Sequence, residues 1–218
     1  MRIGVLGTGM VGQTVGRRLV GLGHEVRMGS RSAGNDKAVA WAAEVGEGAS
    51  QGSFADAAGF GELVINATAG AASLAALEAA GAANLAGKVL VDLANPLDGS
   101  QGMPPILSVC NTDSLGEQIQ RAFPEARVVK TLNTMNCTVM VDPGVLPGSH
   151  TVFVCGDDEE AKAEVRALLA EFGWPAEDML DLGGISSARG VEMYLPLWIR
   201  LWTATGTGQL NVKVVVAE

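Results

Sequence analysis

The chain has 218 residues, enough for one sizeable core with a small appendage, and a formal net charge of −9 at pH 7. This acidic balance argues against a nucleic-acid-binding or anionic-membrane-binding surface, because both require a basic face. Hydrophobic residues make up 48% of the chain, 29 residues are glycine and 5% are aromatic. With short apolar runs between Ala-rich stretches, this composition favours a βαβ architecture.

The first residues, MRIGVLG, read directly into a strand, without the long apolar region of a signal peptide. No segment reaches the roughly 18 apolar residues of a membrane-spanning helix. The three cysteines, Cys110, Cys137 and Cys155, are scattered and show no C-x-x-C spacing, so neither a disulfide framework nor a zinc site is indicated. We therefore expect a cytoplasmic protein that binds no metal, no nucleic acid and no membrane.

Strands and helices alternate along the chain. Strands are predicted at 3–6, 24–29, 49–53, 63–68, 88–95, 126–134, 151–156 and 178–183. Helices are predicted from the glycine motif to about 22, and near 35–45, 71–82, 113–123, 157–172 and 187–203. The tail at 206–216 is apolar and is expected to pack. This order predicts an α/β fold: a Rossmann-type, doubly wound, mostly parallel sheet with a small C-terminal helical part.

A glycine motif follows the first strand. Gly7, Gly9 and Gly12 fit G-x-G-x-x-G and open the first helix. In this setting the first glycine makes a tight turn, the second lets the backbone approach a pyrophosphate, and the third lets helix and strand pack closely. The phosphates are then expected on the helix N-terminus, near the N–H groups of residues 9–11. The alternative is a glycine-rich turn that binds no nucleotide.

The stretch RMGSRS at 27–32 stands where NAD-binding folds carry a carboxylate for the ribose hydroxyls. Gly29 removes that carboxylate, Ser30 offers a hydroxyl and a backbone N–H, and Arg31 can form a bidentate pair with a 2′-phosphate. Lys37, in the next helix, is a plausible second cation. The alternative is that Arg31 is a solvated loop residue. The pattern predicts NADP(H).

Two further strand ends are expected to border the same groove, because ligands of open α/β sheets bind at the carboxyl ends of the strands. Ala67 and Thr68 follow the fourth strand, and Asn95 and Pro96 follow the fifth. Small residues and a proline suit a nicotinamide ribose that lies close to the backbone. Ordinary strand-ending turns are the alternative at each position.

Several segments together resemble the coenzyme F420-dependent NADP reductases (NADPH:F420 oxidoreductases). They are GHEVRMGSRS at 23–32, VVKTLNTMN at 128–136, VCGDDEEAK at 154–162, SSARGVEMYLPL at 186–197 and GTGQLNVKV at 206–214. The resemblance covers nearly the whole chain. It implies a Rossmann domain with a small C-terminal part, a homodimer, and hydride transfer between NADPH and a 5-deazaflavin held between the two parts.

The resemblance also implies functional positions. For NADP(H) they are Thr8, Gly9, Met10, Val11, Ser30, Arg31, Ala67, Asn95 and Pro96, with Cys137 near the nicotinamide. On the acceptor side, Asn133 stands where the family has a histidine. Met193 and Leu195 stand where it has a serine and a threonine. With Met135, these residues form a predicted pocket for a planar, mostly apolar ring. We expect residues 1–182 to bind NADP(H) and residues 183–218 to supply acceptor-site and dimer contacts.

No acid–base pair or nucleophile is indicated, and no catalytic residue is assigned. His24 and His150 are interpreted as surface or turn residues, and Lys130 as a packed or edge position rather than a catalytic amine. Dehydrogenation of an alcohol needs a proton donor or acceptor beside the reacting carbon. Hydride transfer to a flavin-like ring depends mainly on how two rings are positioned. The missing acid–base pair therefore favours a flavin-like small-molecule acceptor.

Two other functions remain open. One is an NADPH-dependent reductase of a small carbonyl or imine, related to β-hydroxyacid dehydrogenases and pyrroline-carboxylate reductases. Those hydroxyacid dehydrogenases use a lysine on the helix after the Rossmann domain, where this chain offers Arg189. The other is a non-catalytic NADP-sensing module, which would bind NADPH without passing its hydride to any acceptor.

Overall fold

A computed structural model describes residues 1–217. The strands are β1 (Arg2–Leu6), β2 (Glu25–Ser30), β3 (Ala49–Ser53), β4 (Leu63–Asn66), β5 (Val89–Asp92), β6 (Leu97–Asp98), β7 (Ile106–Leu107), β8 (Arg127–Thr131), β9 (Val152–Cys155) and β10 (Met179–Asp181). The α-helices are α1 (Met10–Gly21), α2 (Asp36–Val45), α3 (Phe54–Phe60), α4 (Gly70–Ala80), α5 (Ala82–Leu85), α6 (Leu115–Ala122), α7 (Cys137–Val141), α8 (Glu159–Phe172), α9 (Ala188–Met193) and α10 (Leu195–Thr205). Short 3-10 turns cover Pro143–Val145, Ala176–Asp178 and Ile185–Ser187.

Eight strands form one sheet in the order β10-β9-β8-β5-β4-β1-β2-β3. Within this sheet, neighbouring strands pair in parallel along the series β8, β5, β4, β1, β2 and β3. At the other edge, β9 runs antiparallel to β8, and β10 pairs in parallel with β9. β1 lies between β2 and β4, where the strand order reverses and a crevice opens at the carboxyl ends. The predicted Rossmann-type, mostly parallel fold is confirmed.

The core lies on both faces of the sheet. Strand side chains alternate between the faces, so that Ile65 belongs to one apolar cluster and the adjacent Val64 to the other. The first cluster is completed by α1, α2, α7 and α8, and the second by α3, α4, α6 and α9. Helices on both faces explain why the strands read as apolar runs rather than as alternating patterns.

Three helical features differ from the sequence-based expectation. The helices α3 and α7 were not predicted, although Ser53 and Asp56 form a capping box at the start of α3. The final helix was predicted as one element at 187–203, but α9 ends at Met193 and α10 begins at Leu195. Pro196 lies in the first turn of α10, where the missing N–H of a proline is tolerated.

The C-terminal tail is only partly packed, which corrects the expectation for 206–216. Its first part is held to the start of β9, because the amide of Thr151 donates to the carbonyl of Val212 at 2.8 Å. Further along, Val215 and Val216 are 83% and 80% exposed. Residue 218, the end of the predicted C-terminal part, lies outside the described residues, and the division at 182/183 stays a prediction.

The acidic run at 157–160 lies at the start of α8, where Asp158 is the N-cap and Glu159 and Glu160 form the first turn. The carboxylate of Asp158 caps the helix and accepts a hydrogen bond from the amide of Ala161 at 2.8 Å. Within residues 1–217, no group of three histidine, cysteine or acidic side chains is placed to hold a metal ion. In the same range, no helix combines the length and apolar character needed to cross a bilayer.

Candidate functional site

The turn after β1 gives each motif glycine a different environment. Gly7 has a φ of +117°, which side-chain-bearing residues rarely adopt. A Cβ on Gly12 would lie 2.2 Å from the carbonyl oxygen of Gly7, so α1 packs directly on the turn. A Cβ on Gly9 would meet nothing within 4 Å. Gly9 also begins α1 without a side-chain cap, which leaves the first N–H groups of the helix facing open space.

A cavity of about 390 Å³ opens at this helix N-terminus. Its lining residues come from the glycine turn, one face of α1 and the start of α2: Thr8, Gly9, Met10, Gln13, Thr14, Arg17 and Lys37. Lys37 was predicted as a second phosphate-binding cation, and the fold brings it to the same cavity as the motif. Neutral N–H groups and two cations make this cavity suited to an anion.

The loop after β2 presents one free guanidinium. Arg31 is exposed and forms no ion pair with any residue in 1–217. Ser30 is buried, and its hydroxyl donates to the carbonyl of Ser32 at 2.6 Å. Because this hydroxyl proton is already used, a phosphate here would be met by Arg31 and by backbone N–H groups, and not by the Ser30 hydroxyl.

Gly29 has a packing role that the sequence did not indicate. A Cβ there would lie 2.8 Å from the Cβ of Ala57 and 3.1 Å from a methyl group of Leu6. The helix α3 therefore covers this position so closely that no side chain fits. The absence of a ribose-binding carboxylate follows from this contact as well as from cofactor choice. The contact between Gly29 and Ala57 joins distant residues, and no local pattern in the sequence indicates it.

The ends of β4 and β5 border a second cavity, of about 220 Å³. Its lining includes four of the predicted positions: Val11, Ala67, Thr68 and Asn95. Pro96 lies just beyond and lines an adjoining cavity of about 200 Å³ together with Ser108 and Val109. The crevice thus continues from the N-terminus of α1 past the ends of both strands.

A buried charge cluster stands behind this part of the crevice. The ammonium of Lys130 lies 2.8 Å from carboxylate oxygens of both Asp92 and Glu192, and it also contacts the carbonyl of Ala94. Asp92 in turn accepts hydrogen bonds from the amide of Ala94 and the side chain of Asn66. Burial alone lowers the pKa of Lys130, but the two carboxylates outweigh it and the net pKa is raised. Lys130 is the packed residue that the sequence suggested.

The cluster also joins the two sides of the crevice. Glu192 belongs to α9, and its carboxylate accepts hydrogen bonds from the amides of Leu115 and Gly116 at 2.8 and 3.0 Å. These amides begin α6, whose N-terminus favours a negative charge. One set of buried contacts therefore fixes α9 to α6 and to the ends of β5 and β8.

The predicted acceptor residues do not all face open space. Asn133, Met135 and Leu195 are buried, and only Met193 is exposed. The side-chain N–H groups of Asn133 donate to Asn95 Oδ1 at 2.9 Å and to the carbonyl of Val191 at 3.1 Å. Asn133 is therefore not free to donate a hydrogen bond to an acceptor, because both side-chain hydrogens are used within the fold.

Asn133 instead links the two halves of the predicted site. Its own carbonyl accepts from the side chain of Asn95 at 2.8 Å, so the two asparagines bond reciprocally. Cys137, predicted near the nicotinamide, is a buried member of the core at the start of α7. Buried positions of this kind can shape the crevice only through the residues that cover them.

Both histidines are buried, which corrects their interpretation as surface or turn residues. His24 Nε2 lies 2.8 Å from a carboxylate oxygen of Glu171. His150 Nε2 donates to the carbonyl of Pro143, and Nδ1 accepts from the side chain of Asn211 at 2.9 Å. Neither ring lines the cavities of the crevice.

Arg189 is held by a carboxylate. Its guanidinium bonds both oxygens of Glu117, at 2.5 and 2.8 Å, and these bonds hold the pKa of Glu117 below its ordinary value. An arginine paired in this way is a poor substitute for a catalytic lysine, because it keeps its proton and its charge is already matched.

Comparison with known proteins agrees with this architecture. Residues 2–96 match the family described as NADP oxidoreductase, coenzyme F420-dependent. A candidate F420-dependent NADP-reductase of known crystal structure, from Arthrobacter sp. FB24, is 56% identical, with a TM-score of 0.93 over 99% of this chain and 100% of that one. An imine reductase from Streptomyces aurantiacus is 21% identical, with a TM-score of 0.65 over 94% of this chain and 63% of that one, and shares the fold alone.

Metalloreductase STEAP3 from Rattus norvegicus is 31% identical over 205 residues, which are 90% of this chain and 38% of that protein. The chain thus spans little more than a third of the length of this relative. The Arthrobacter protein matches nearly the whole chain, and the family matches residues 2–96, which contain the glycine motif. Both matches indicate the same family. The chain belongs to the coenzyme F420-dependent NADP oxidoreductase family and is an NADP-dependent oxidoreductase.

Proposed function

We propose that the chain transfers a hydride between NADPH and a deazaflavin, coenzyme F420, or a flavin-like ring. The observation that carries the proposal is the N-terminus of α1, which has no side-chain cap and faces an open cavity that Lys37 also lines. The open space at Gly9, where a Cβ would meet nothing within 4 Å, fits the close approach of a dinucleotide pyrophosphate. When bound, NADPH supplies the hydride from its nicotinamide ring.

The crevice residues then have separate tasks. The N–H groups of Gly9, Met10 and Val11 hold the pyrophosphate, because they are the unpaired donors of the helix. Arg31 and Lys37 neutralise the 2′-phosphate.

The second cavity receives the nicotinamide end of the cofactor. Thr68 and Asn95 border it, and the bonds from Asn95 to Asn133 keep that wall in place. The remaining predicted positions shape or support these contacts. They are Gly7, Thr8, Gly12, Ser30, Ala67, Pro96 and Cys137.

On the acceptor side, the chain offers positioning rather than proton transfer. Met193 is the exposed member of the predicted pocket, whereas Asn133, Met135 and Leu195 are buried. Lys130 is fully paired and buried, and Arg189 is paired with Glu117, so neither is placed to protonate a substrate. A ring-to-ring hydride transfer suits such a site, because alignment supplies most of its rate enhancement. Reduction of an imine or carbonyl is less well supported for the same reason.

We also infer that two copies associate through α10 and the tail. Leu197 and Trp202 of α10 are 55% and 44% exposed, and Val215 and Val216 of the tail are 83% and 80% exposed. Exposed apolar residues gathered at one end of a chain are typical of an interface. Sedimentation equilibrium should give about twice the 22.4 kDa chain mass. A purely monomeric protein at micromolar concentration would contradict the inferred dimer.

The acceptor is tested by following NADPH absorbance with coenzyme F420, FMN and a panel of imines and keto acids. We expect rapid oxidation of NADPH with F420 or FMN and none with the imines and keto acids. Turnover with an imine or keto acid, beside none with F420 or FMN, would overturn the proposed acceptor class and leave the NADP site untouched.

Arg31→Ala should weaken NADPH binding by about 1.5–3 kcal/mol, the value of a hydrogen bond to a charged group. NADH binding should change little, because NADH lacks the 2′-phosphate. Fluorescence titration with each cofactor measures the two effects. Arg121→Ala is the matched control, since that exposed arginine of α6 pairs with Asp113 and its removal should affect neither cofactor. Equal losses for NADPH and NADH would refute the 2′-phosphate role of Arg31.

A further inference from the structure

Arg17 lines the cofactor cavity, although nothing in the glycine motif requires a cation there. Met10, Gln13 and Arg17 are spaced three and four residues apart on α1, so they share one face, and all three line the 390 Å³ cavity. Side chains of a helix lean toward its N-terminus. The guanidinium of Arg17 is therefore carried toward the N-terminal end of α1 and into the cavity that Lys37 also lines.

The present partner of Arg17 is a weakly held carboxylate. Nη2 of Arg17 lies 3.0 Å from Oε1 of Glu44 on α2, and the two side chains are 48% and 65% exposed. Ion pairs with such exposure contribute little to stability, because water screens the charges and the long side chains lose freedom. A phosphate dianion in the cavity competes readily with one exposed carboxylate.

The charge of the cavity points to a phosphate beyond the pyrophosphate. Of its seven lining residues, two are cations and none is acidic. The N–H groups at Gly9 already supply the donors that a pyrophosphate needs. Lys37, the other cation, comes from the first turn of α2, which follows the loop that carries Arg31. The extra positive charge thus lies on the side of the cavity where the adenosine ribose is expected.

We propose that Arg17 is a specificity-determining cation for the 2′-phosphate of NADPH, and that Glu44 is its counter-ion in the free protein. On binding, the guanidinium exchanges the carboxylate of Glu44 for the phosphate. This inference rests on the proposed NADP site and adds a residue that its sequence motifs do not contain. Because Glu44 competes with the ligand for Arg17, substitutions of Arg17 and of Glu44 should change the affinity for NADPH in opposite directions.

The test measures the binding of NADPH, NADH, 2′,5′-ADP and 5′-ADP to Arg17→Gln and Glu44→Gln by calorimetry. Arg17→Gln should raise the Kd of NADPH and 2′,5′-ADP about 3–10-fold, the range for one partly screened charge contact. Glu44→Gln should lower the same two constants about 2–3-fold, because the competing carboxylate is gone. The constants for NADH and 5′-ADP should not change in either variant.

Controls separate this inference from the NADP site itself. Arg18→Gln removes a neighbouring charge on the same helix that does not line the cavity, and it should leave all four constants unchanged. Arg17→Lys should recover part of the NADPH affinity. If Arg17→Gln weakens NADPH and NADH equally, or neither, the role assigned to Arg17 is wrong. If Arg31→Ala also leaves the preference for NADPH intact, the proposed 2′-phosphate site fails as a whole.

Discussion

Lys130→Met is expected to lower the free energy of unfolding by about 3–5 kcal/mol, the loss found when one partner of a buried ion pair is removed. The substitution leaves the carboxylates of Asp92 and Glu192 buried without their shared cation. Urea denaturation at pH 7 measures the change. Arg121→Met removes an exposed cation paired with Asp113 and should cost less than about 1 kcal/mol. Equal small losses in both variants would contradict the buried cluster.

The pH dependence of this contribution has a definite sign. The folded-state pKa of Lys130 is raised, because its two carboxylates outweigh the effect of burial. Its stabilisation is therefore fully present below the unfolded-state pKa of about 10.4 and is lost as pH rises through the folded-state value. The difference between the wild-type protein and Lys130→Met should stay constant between neutral pH and about pH 9.

Gly9→Ala is expected to weaken NADPH binding about tenfold or more while changing stability little. Gly9 has a φ of −78°, which alanine adopts without strain, and its Cβ would meet no protein atom within 4 Å. The added methyl instead occupies the space proposed for the pyrophosphate, where the contacts to a charged group contribute about 1.5–3 kcal/mol. Calorimetric titration with NADPH, beside a urea melt of each protein, separates the two effects.

Gly12→Ala is the matched comparison within the same motif. Its Cβ would lie 2.2 Å from the carbonyl oxygen of Gly7, so the backbone must shift, with an expected loss of about 1–3 kcal/mol in unfolding free energy. Gly9→Ala should show the reverse pattern, with binding lost and stability kept. If Gly9→Ala binds NADPH as tightly as the wild-type protein, the pyrophosphate does not approach the turn there.

The fold was largely predictable, because most strands of the main sheet are short apolar runs and the longer helices between them have their own periodicity. The parallel order around β1 follows from the βαβ units. The reversed direction of β9 did not follow, since the segment between β8 and β9 holds a short helix and a loop that no pattern fixes. The capping box at Ser53 and the proline at 196 were readable signals for α3 and for the break between α9 and α10.

The site was predictable where one segment carries it. The glycine motif and Arg31 each lie within a few residues of sequence. The structure brings Thr8 and Gly9 of the motif to one cavity with Lys37, and Arg31 lies outside the lining of that cavity. The contacts that sequence analysis missed all join distant segments. Asn133 loses its free hydrogens to Asn95 and Val191, and Lys130 is paired across the sheet with residues of β5 and α9. No local pattern reports such pairings.

Direct hydride transfer is the central claim, and one labelling experiment tests it. NADPH that carries deuterium at both positions on C4 of the nicotinamide is oxidised by the protein with coenzyme F420 in ordinary water, and the reduced F420 is analysed by mass spectrometry. Hydride transfer from ring to ring predicts deuterium bound to carbon in the reduced F420. Reduced F420 without deuterium, or NADPH that neither F420 nor FMN oxidises, would contradict it.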